Sequence, residues 1–137
     1  MGFLGNHAPY PADINLIAQM AAYSLLLAGA YLARASRLRA HNLFMKAAIV
    51  VQFGALIFWM GPSLFVNIGA FRVFGAGPFI TALHVFGGLS AVALAITAAR
   101  HRTLGTLQLR WTMRATFLAW TLTVILGLAF YAYYYLL

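Results

Sequence analysis

Cysteine is absent from this chain, and carboxylate side chains are reduced to a single one, Asp13, in 137 residues. Without cysteine there is no disulfide, no thiolate-bound zinc and no iron–sulfur cluster, and the redox compartment leaves no mark. One acid is too few for paired-carboxylate catalysis or a hard-metal cage. Because Asp13 precedes the first apolar run, it also supplies no carboxylate inside a membrane for a proton relay. A hydrolase or a self-sufficient proton pump is therefore not expected. Charged residues of any kind make up 7% of the chain, against about a quarter in soluble domains.

What is abundant is apolar: 64% of the residues are hydrophobic. A soluble fold this short cannot hide so much apolar surface, whereas lipid can cover it. The runs predict four membrane spans at about 14–33, 43–61, 79–99 and 111–137, and so a single all-α transmembrane domain, a four-helix bundle. The first run alone would give roughly 30 Å of helix, enough to cross the hydrocarbon layer. Asp13, after the breaker Pro11, is placed to cap the first span. Gly61-Pro62 should end or kink the second. Residues 63–78 are apolar but broken by Asn67, Gly69, Arg72, Gly75, Gly77 and Pro78. They read as an interfacial or re-entrant connector, with Phe65, Phe71 and Phe74 at head-group level. Pro78 suits the first turn of the third span. Tyr131, Tyr133, Tyr134 and Tyr135 look like an aromatic belt at the end of the fourth. Residues 1–13 read as a short tail, since no basic residue precedes the first run and that run is too long for a signal peptide.

Eight of the nine Lys and Arg residues fall in two groups. One is Arg34, Arg37, Arg39 and Lys46 around the first connection; the other is Arg100, Arg102, Arg110 and Arg114 around the third. The remaining one, Arg72, belongs to the opposite side. Positive residues accumulate on the cytoplasmic side of membrane proteins, so both termini are expected on the non-cytoplasmic side. The charge also suits anionic lipid head groups. It does not form the solvated basic face that nucleic acid would need.

Four histidines, His7, His41, His84 and His101, are the candidate ligands. His84 alone sits well inside a span, where an imidazole needs a partner. Gly87, Gly88, Ala91, Ala95 and Ala99 follow it as a stripe of small residues that lets another surface come close. If that surface is a porphyrin, His84 is an iron ligand; if it is another helix, His84 hydrogen-bonds across the contact. His41 and His101 lie at the same membrane face, where they could pair as axial ligands or titrate as interfacial residues. Neither can share a site with His84, since 84 to 101 spans about 25 Å at about 1.5 Å per residue. Met45 and Met60 are soft-metal candidates or gap-filling side chains. Trp59, Trp111 and Trp120 read as interface anchors or core.

Three pieces resemble the CtaM-like family of small four-helix bacterial membrane proteins. They are Asp13-Ile14-Asn15-Leu16-Ile17 leading into Leu26-Leu27-Ala28-Gly29-Ala30, then His41-Asn42-Leu43-Phe44-Met45, and finally Leu83-His84 with Arg114, Thr116, Trp120, Gly127 and Tyr131. The family's pattern has one histidine near the outer end of span two, where this chain has Ser63. It has another shortly before span four, where His101 stands several residues early. The resemblance implies the bacterial cytoplasmic membrane and a role in maturing haem-containing terminal oxidases.

Two functions are carried forward. The first is a small accessory or assembly subunit of a respiratory or other electron-transfer complex, without chemistry of its own. Its partners would be larger membrane proteins docked on the small-residue stripe. The alternative is a haem-b electron carrier or quinone-reactive anchor that uses His84 or the pair His41 and His101. An autonomous transporter is disfavoured, because the spans carry no intramembrane charge.

Overall fold

A computed structural model of the chain describes residues 4–5, 7–62, 76–100 and 105–136, with backbone alone at 76–78. Residues 63–75 of the connector expected at 63–78, and His101, lie outside the described residues, and 76–78 already belong to a helix. Among the described residues the secondary structure is entirely helical. Helix α1 covers Tyr10–Arg34, α2 covers Leu38–Ala55 and runs on through a π-helical turn at Leu56–Met60, α3 covers Ala76–Ala99, and α4 covers Thr106–Tyr135.

Each of the four is long and apolar enough to cross a membrane, over Tyr10–Arg34, Leu38–Met60, Phe79–Ala99 and Thr106–Tyr135. Only 17% to 28% of each span's most apolar stretch is buried inside the bundle. Side chains such as Val50, Phe58, Phe86 and Leu118 are largely exposed, which is stable only if lipid surrounds them. The chain is thus a multi-pass membrane protein with a four-helix bundle, as its composition required.

The helix ends differ from those expected. Asp13 does not cap α1. The cap position is Pro9 in extended conformation, and Pro11 occupies the first turn, where a missing N–H costs nothing. Helix α4 starts at Thr106, five residues before the expected span, so Arg110 lies on the helix together with Arg114. Likewise α2 starts at Leu38, before the expected span, so Arg39 and His41 lie on it together with Lys46. Arginine is a good helix former, and the Gly105 amide donates to Gln108 Oε1 at 3.3 Å to start α4. A helix end is set by capping, a span end by the lipid boundary, and the two need not coincide. Arg114 uses its position to lie 5.5 Å from the centre of the Trp111 ring, a cation–π contact at the end of the apolar stretch.

The first two helices form a tight hairpin. Ser36 takes a left-handed φ of 58°. The amide of Arg37 donates to Leu32 O at 2.9 Å and that of Ser36 to Ala33 O at 3.1 Å. This closes α1 as glycine-ended helices do, with serine in the glycine position. At the other end of α2, Pro62 cannot donate an amide hydrogen to the helix. The ladder widens just before it, into the π turn, and the Gly61 amide reaches back to Leu56 O. A side chain at Gly61 would put its Cβ 3.0 Å from that same oxygen.

The helices pack as two antiparallel hairpins, α1 with α2 and α3 with α4, and α1 against α4 holds the hairpins together. The core is built largely from small residues. Ala22, Leu26, Ala48, Ala91, Ala95, Trp120 and Val124 form one buried cluster. With hydrophobic collapse unavailable in lipid, such residues let helices approach closely enough for van der Waals packing and polar links to hold them. Buried hydroxyls within the helices are satisfied locally: Thr116 and Thr123 each donate to the carbonyl four residues back, at 2.8 Å.

Candidate functional site

His84 faces α4. Its Nδ1 donates to the Thr123 carbonyl at 3.0 Å, since a carbonyl can only accept. In the neutral form of the ring this leaves the lone pair on Nε2. The ring packs on Gly127, where an added Cβ would lie 2.8 Å from His84 Cε1. It is stacked with Phe130 at a centroid distance of 6.3 Å. Of the two partners considered for this histidine, another helix is the one that occupies the contact.

Most of the small-residue stripe is internal, one of the two uses that the sequence left open, the other being a docking face for a partner. Gly87 lies so close to Thr123 that a Cβ would stand 2.8 Å from Thr123 Oγ1, and Gly88 lies against Thr123 Cγ2. Ala91 and Ala95 are buried in the core cluster with Trp120 and Val124. Ala99, at the end of the helix, is exposed. Helix α3 spends its stripe on α4 because a tryptophan and a β-branched threonine face it, and only small residues leave them room. Ala91→Leu and Ala95→Leu are accordingly expected to lower the thermal midpoint of the purified protein in detergent. Variants that fold with unchanged midpoints would return the stripe to an outward face.

His41 is buried as well. Its Nδ1 donates to the Gly29 carbonyl at 2.8 Å, tying α2 to α1. Gly29 permits this approach: a Cβ there would meet Met45 Sδ at 3.0 Å. Met45 thus fills space beside the His41 link. Met60 Sδ accepts from Gln19 Nε2 at 3.6 Å, and His7 is exposed in the tail. Trp120 is core, and Trp111 is exposed.

The sole acid has a different role from capping. Asp13 is fully buried. Its Oδ1 accepts a hydrogen bond from the Tyr131 hydroxyl, and its Oδ2 accepts from the Leu4 amide at 3.1 Å. Tyr131 is therefore not part of an exposed aromatic belt; it is buried, whereas Tyr133 and Tyr134 remain exposed. The carboxyl joins the start of α1, the end of α4 and the tail. Sequence patterning hides this because Tyr131 stands among four tyrosines in five residues, and only its helical phase against α1 singles it out.

Gln52 also escaped the sequence reading. It is 5% exposed in the last turn of α2, and its Oε1 has no hydrogen-bond partner among the described residues. The signal was present: an amide inside an apolar run ordinarily faces the bundle interior.

The fit of a haem can be tested on this geometry. The Nε2 lone pair of His84 has the right chemistry for an axial ligand. On the side facing α4 the imidazole already abuts Gly127, so that contact is filled by the helix. Among the described residues no group of three or more His, Cys, Asp or Glu is placed to hold a metal ion. Comparison with protein-family models, curated proteins and solved structures finds no match for this chain.

Proposed function

We propose that this chain is a small accessory or assembly subunit of a respiratory or other membrane electron-transfer complex, related to the CtaM-like factors and resident in the bacterial cytoplasmic membrane. The observation that carries the reading is where its polar groups go. Asp13, His41 and His84 each make helix-to-helix or tail-to-helix hydrogen bonds. The groups best suited to chemistry are engaged in holding the bundle together. What the bundle offers outward is apolar surface flanked by arginines, which suits larger membrane proteins and anionic lipid. The link to haem-containing oxidases rests on the sequence resemblance.

The test is gentle isolation of the tagged chain from its native membrane. Oxidase or other electron-transfer subunits are expected to accompany it, and the purified chain alone is expected to lack a Soret band. Recovery of the chain alone, or a Soret band that depends on His84, would overturn the reading.

The proposed orientation puts both basic groups in the cytoplasm and both termini outside, following the distribution of Lys and Arg. Ser36, Thr106 and Gly5 are all exposed on the protein, so cysteines introduced there report on the membrane side. An impermeant thiol reagent on intact cells should label Gly5→Cys and spare Ser36→Cys and Thr106→Cys. The reverse pattern would invert the topology.

A further inference from the structure

The bundle is closed on three sides and looser on the fourth. Helix α1 packs on α2, α3 on α4 and α1 on α4, while the backbones of α2 and α3 stay largely apart. Along that fourth side run two adjoining furrows, narrow, partly open and lined almost wholly by apolar atoms. Ile49 and Phe53 of α2, Ala91, Val92 and Ala95 of α3, and Trp120 of α4 supply most of the lining. Phe53 is exposed at the rim, Ile49 and Val92 are half-buried, and Trp120 is 2% exposed at the floor. We propose that these furrows seat one phospholipid with an anionic head group. Its acyl chain lies along Ile49, Phe53 and Val92, and its phosphate is held by Arg39 and Lys46.

Shape and charge both select this occupant. A partner helix, about 10–12 Å across with its side chains, would rest on the rims of so narrow a furrow. A polymethylene chain is far slimmer and bends to follow it, making the dispersion contacts that an unfilled furrow forfeits. The head group is chosen by α2. Lys46 precedes Phe53 by seven residues, so it shares that face two turns nearer the basic end, and Arg39 stands a further seven residues back. Both are exposed, and a lysine stem runs along its helix to bring the ammonium to head-group level. The chain's sole acid, Asp13, is buried at the opposite end of the bundle with Tyr131 and Leu4. No carboxylate side chain therefore neutralises the two cations, and an anionic phosphate does. The site is independent of which complex the chain serves.

Trp120 reports on the furrow, and Trp59→Phe with Trp111→Phe leaves it as the one tryptophan of the chain. In detergent micelles, phosphatidylglycerol with brominated acyl chains is expected to quench its fluorescence. Brominated phosphatidylcholine should need roughly ten times the concentration, because each cation near a head group favours an anionic lipid several-fold. Arg39→Gln with Lys46→Gln is expected to abolish that preference. Equal quenching by the two lipids, quenching by neither, or a preference that survives the double glutamine change would each overturn the site. Quenching by neither would leave the furrow to a partner helix. The unaltered protein gives a second reading by native mass spectrometry. From an equimolar mixture of the two lipids, unbrominated, it is expected to retain one phosphatidylglycerol, whereas equal retention of both would overturn the proposal.

Discussion

Replacing Asp13 with alanine is expected to lower stability by about 3 kcal/mol, the largest effect expected of a polar substitution among the described residues. The figure follows from what the change strands. The Tyr131 hydroxyl loses its acceptor inside the bundle, and the Leu4 amide loses the bond that holds the tail. A buried group left without its partner costs about 1–3 kcal/mol, and two are involved here, the Leu4 amide being only part-buried. Tyr131→Phe removes one donor and keeps the acceptor's second bond, so about 1–2 kcal/mol is expected. Asp13→Asn should fall between the two, since the amide oxygen can still accept from Tyr131 while its NH₂ cannot accept from Leu4. The measurement is reversible unfolding in mixed micelles, with proteolysis of the tail as a second readout. An Asp13→Ala variant as stable as the parent, with an equally protected tail, would show that the carboxyl does not join these three segments.

The second large effect is expected at Gly127. Gly127→Ala places a methyl 2.8 Å from His84 Cε1, closer than carbon atoms tolerate. The imidazole is rigid and held by Thr123 O, so it must tilt away and give up that bond. Overpacking of this kind costs about 1–3 kcal/mol, offset by up to about 1 kcal/mol from the better helix propensity of alanine. The double variant separates sterics from backbone effects. With His84→Ala present, the methyl at 127 has room, and Gly127→Ala should become neutral or stabilising. A cost that persists in the His84→Ala background would mean that the close approach of Gly127 is to something other than the imidazole.

His84 shows how a correct residue can be read for two opposite uses. Its depth in a span announced that it needs a partner, and the glycines around it announced a close approach. Neither feature says whether the approaching surface is a cofactor or a helix, because both demand small residues. The decision came from α4, which presents the Thr123 carbonyl and Gly127 at the right height. These stand 39 and 43 positions away, and no local pattern relates them to His84. The same holds for His41, whose link to Gly29 depends on the length of the turn at Ser36.

The sequence by itself determined the membrane, the number of helices and their order. These are consequences of composition and run length, since an apolar stretch of about 20 residues has no other stable environment. It also implied that the acid, the deep histidine and the small residues would matter. Only the tertiary structure decided what each one touches. It placed Asp13 against Tyr131, turned the stripe of α3 inward onto Thr123 and Trp120, and buried Gln52. In lipid the driving force for helix association is packing and polar pairing rather than burial from water. Which face of an apolar helix turns inward is therefore settled by shape and hydrogen bonds between distant segments, and hydropathy along one segment carries no record of it.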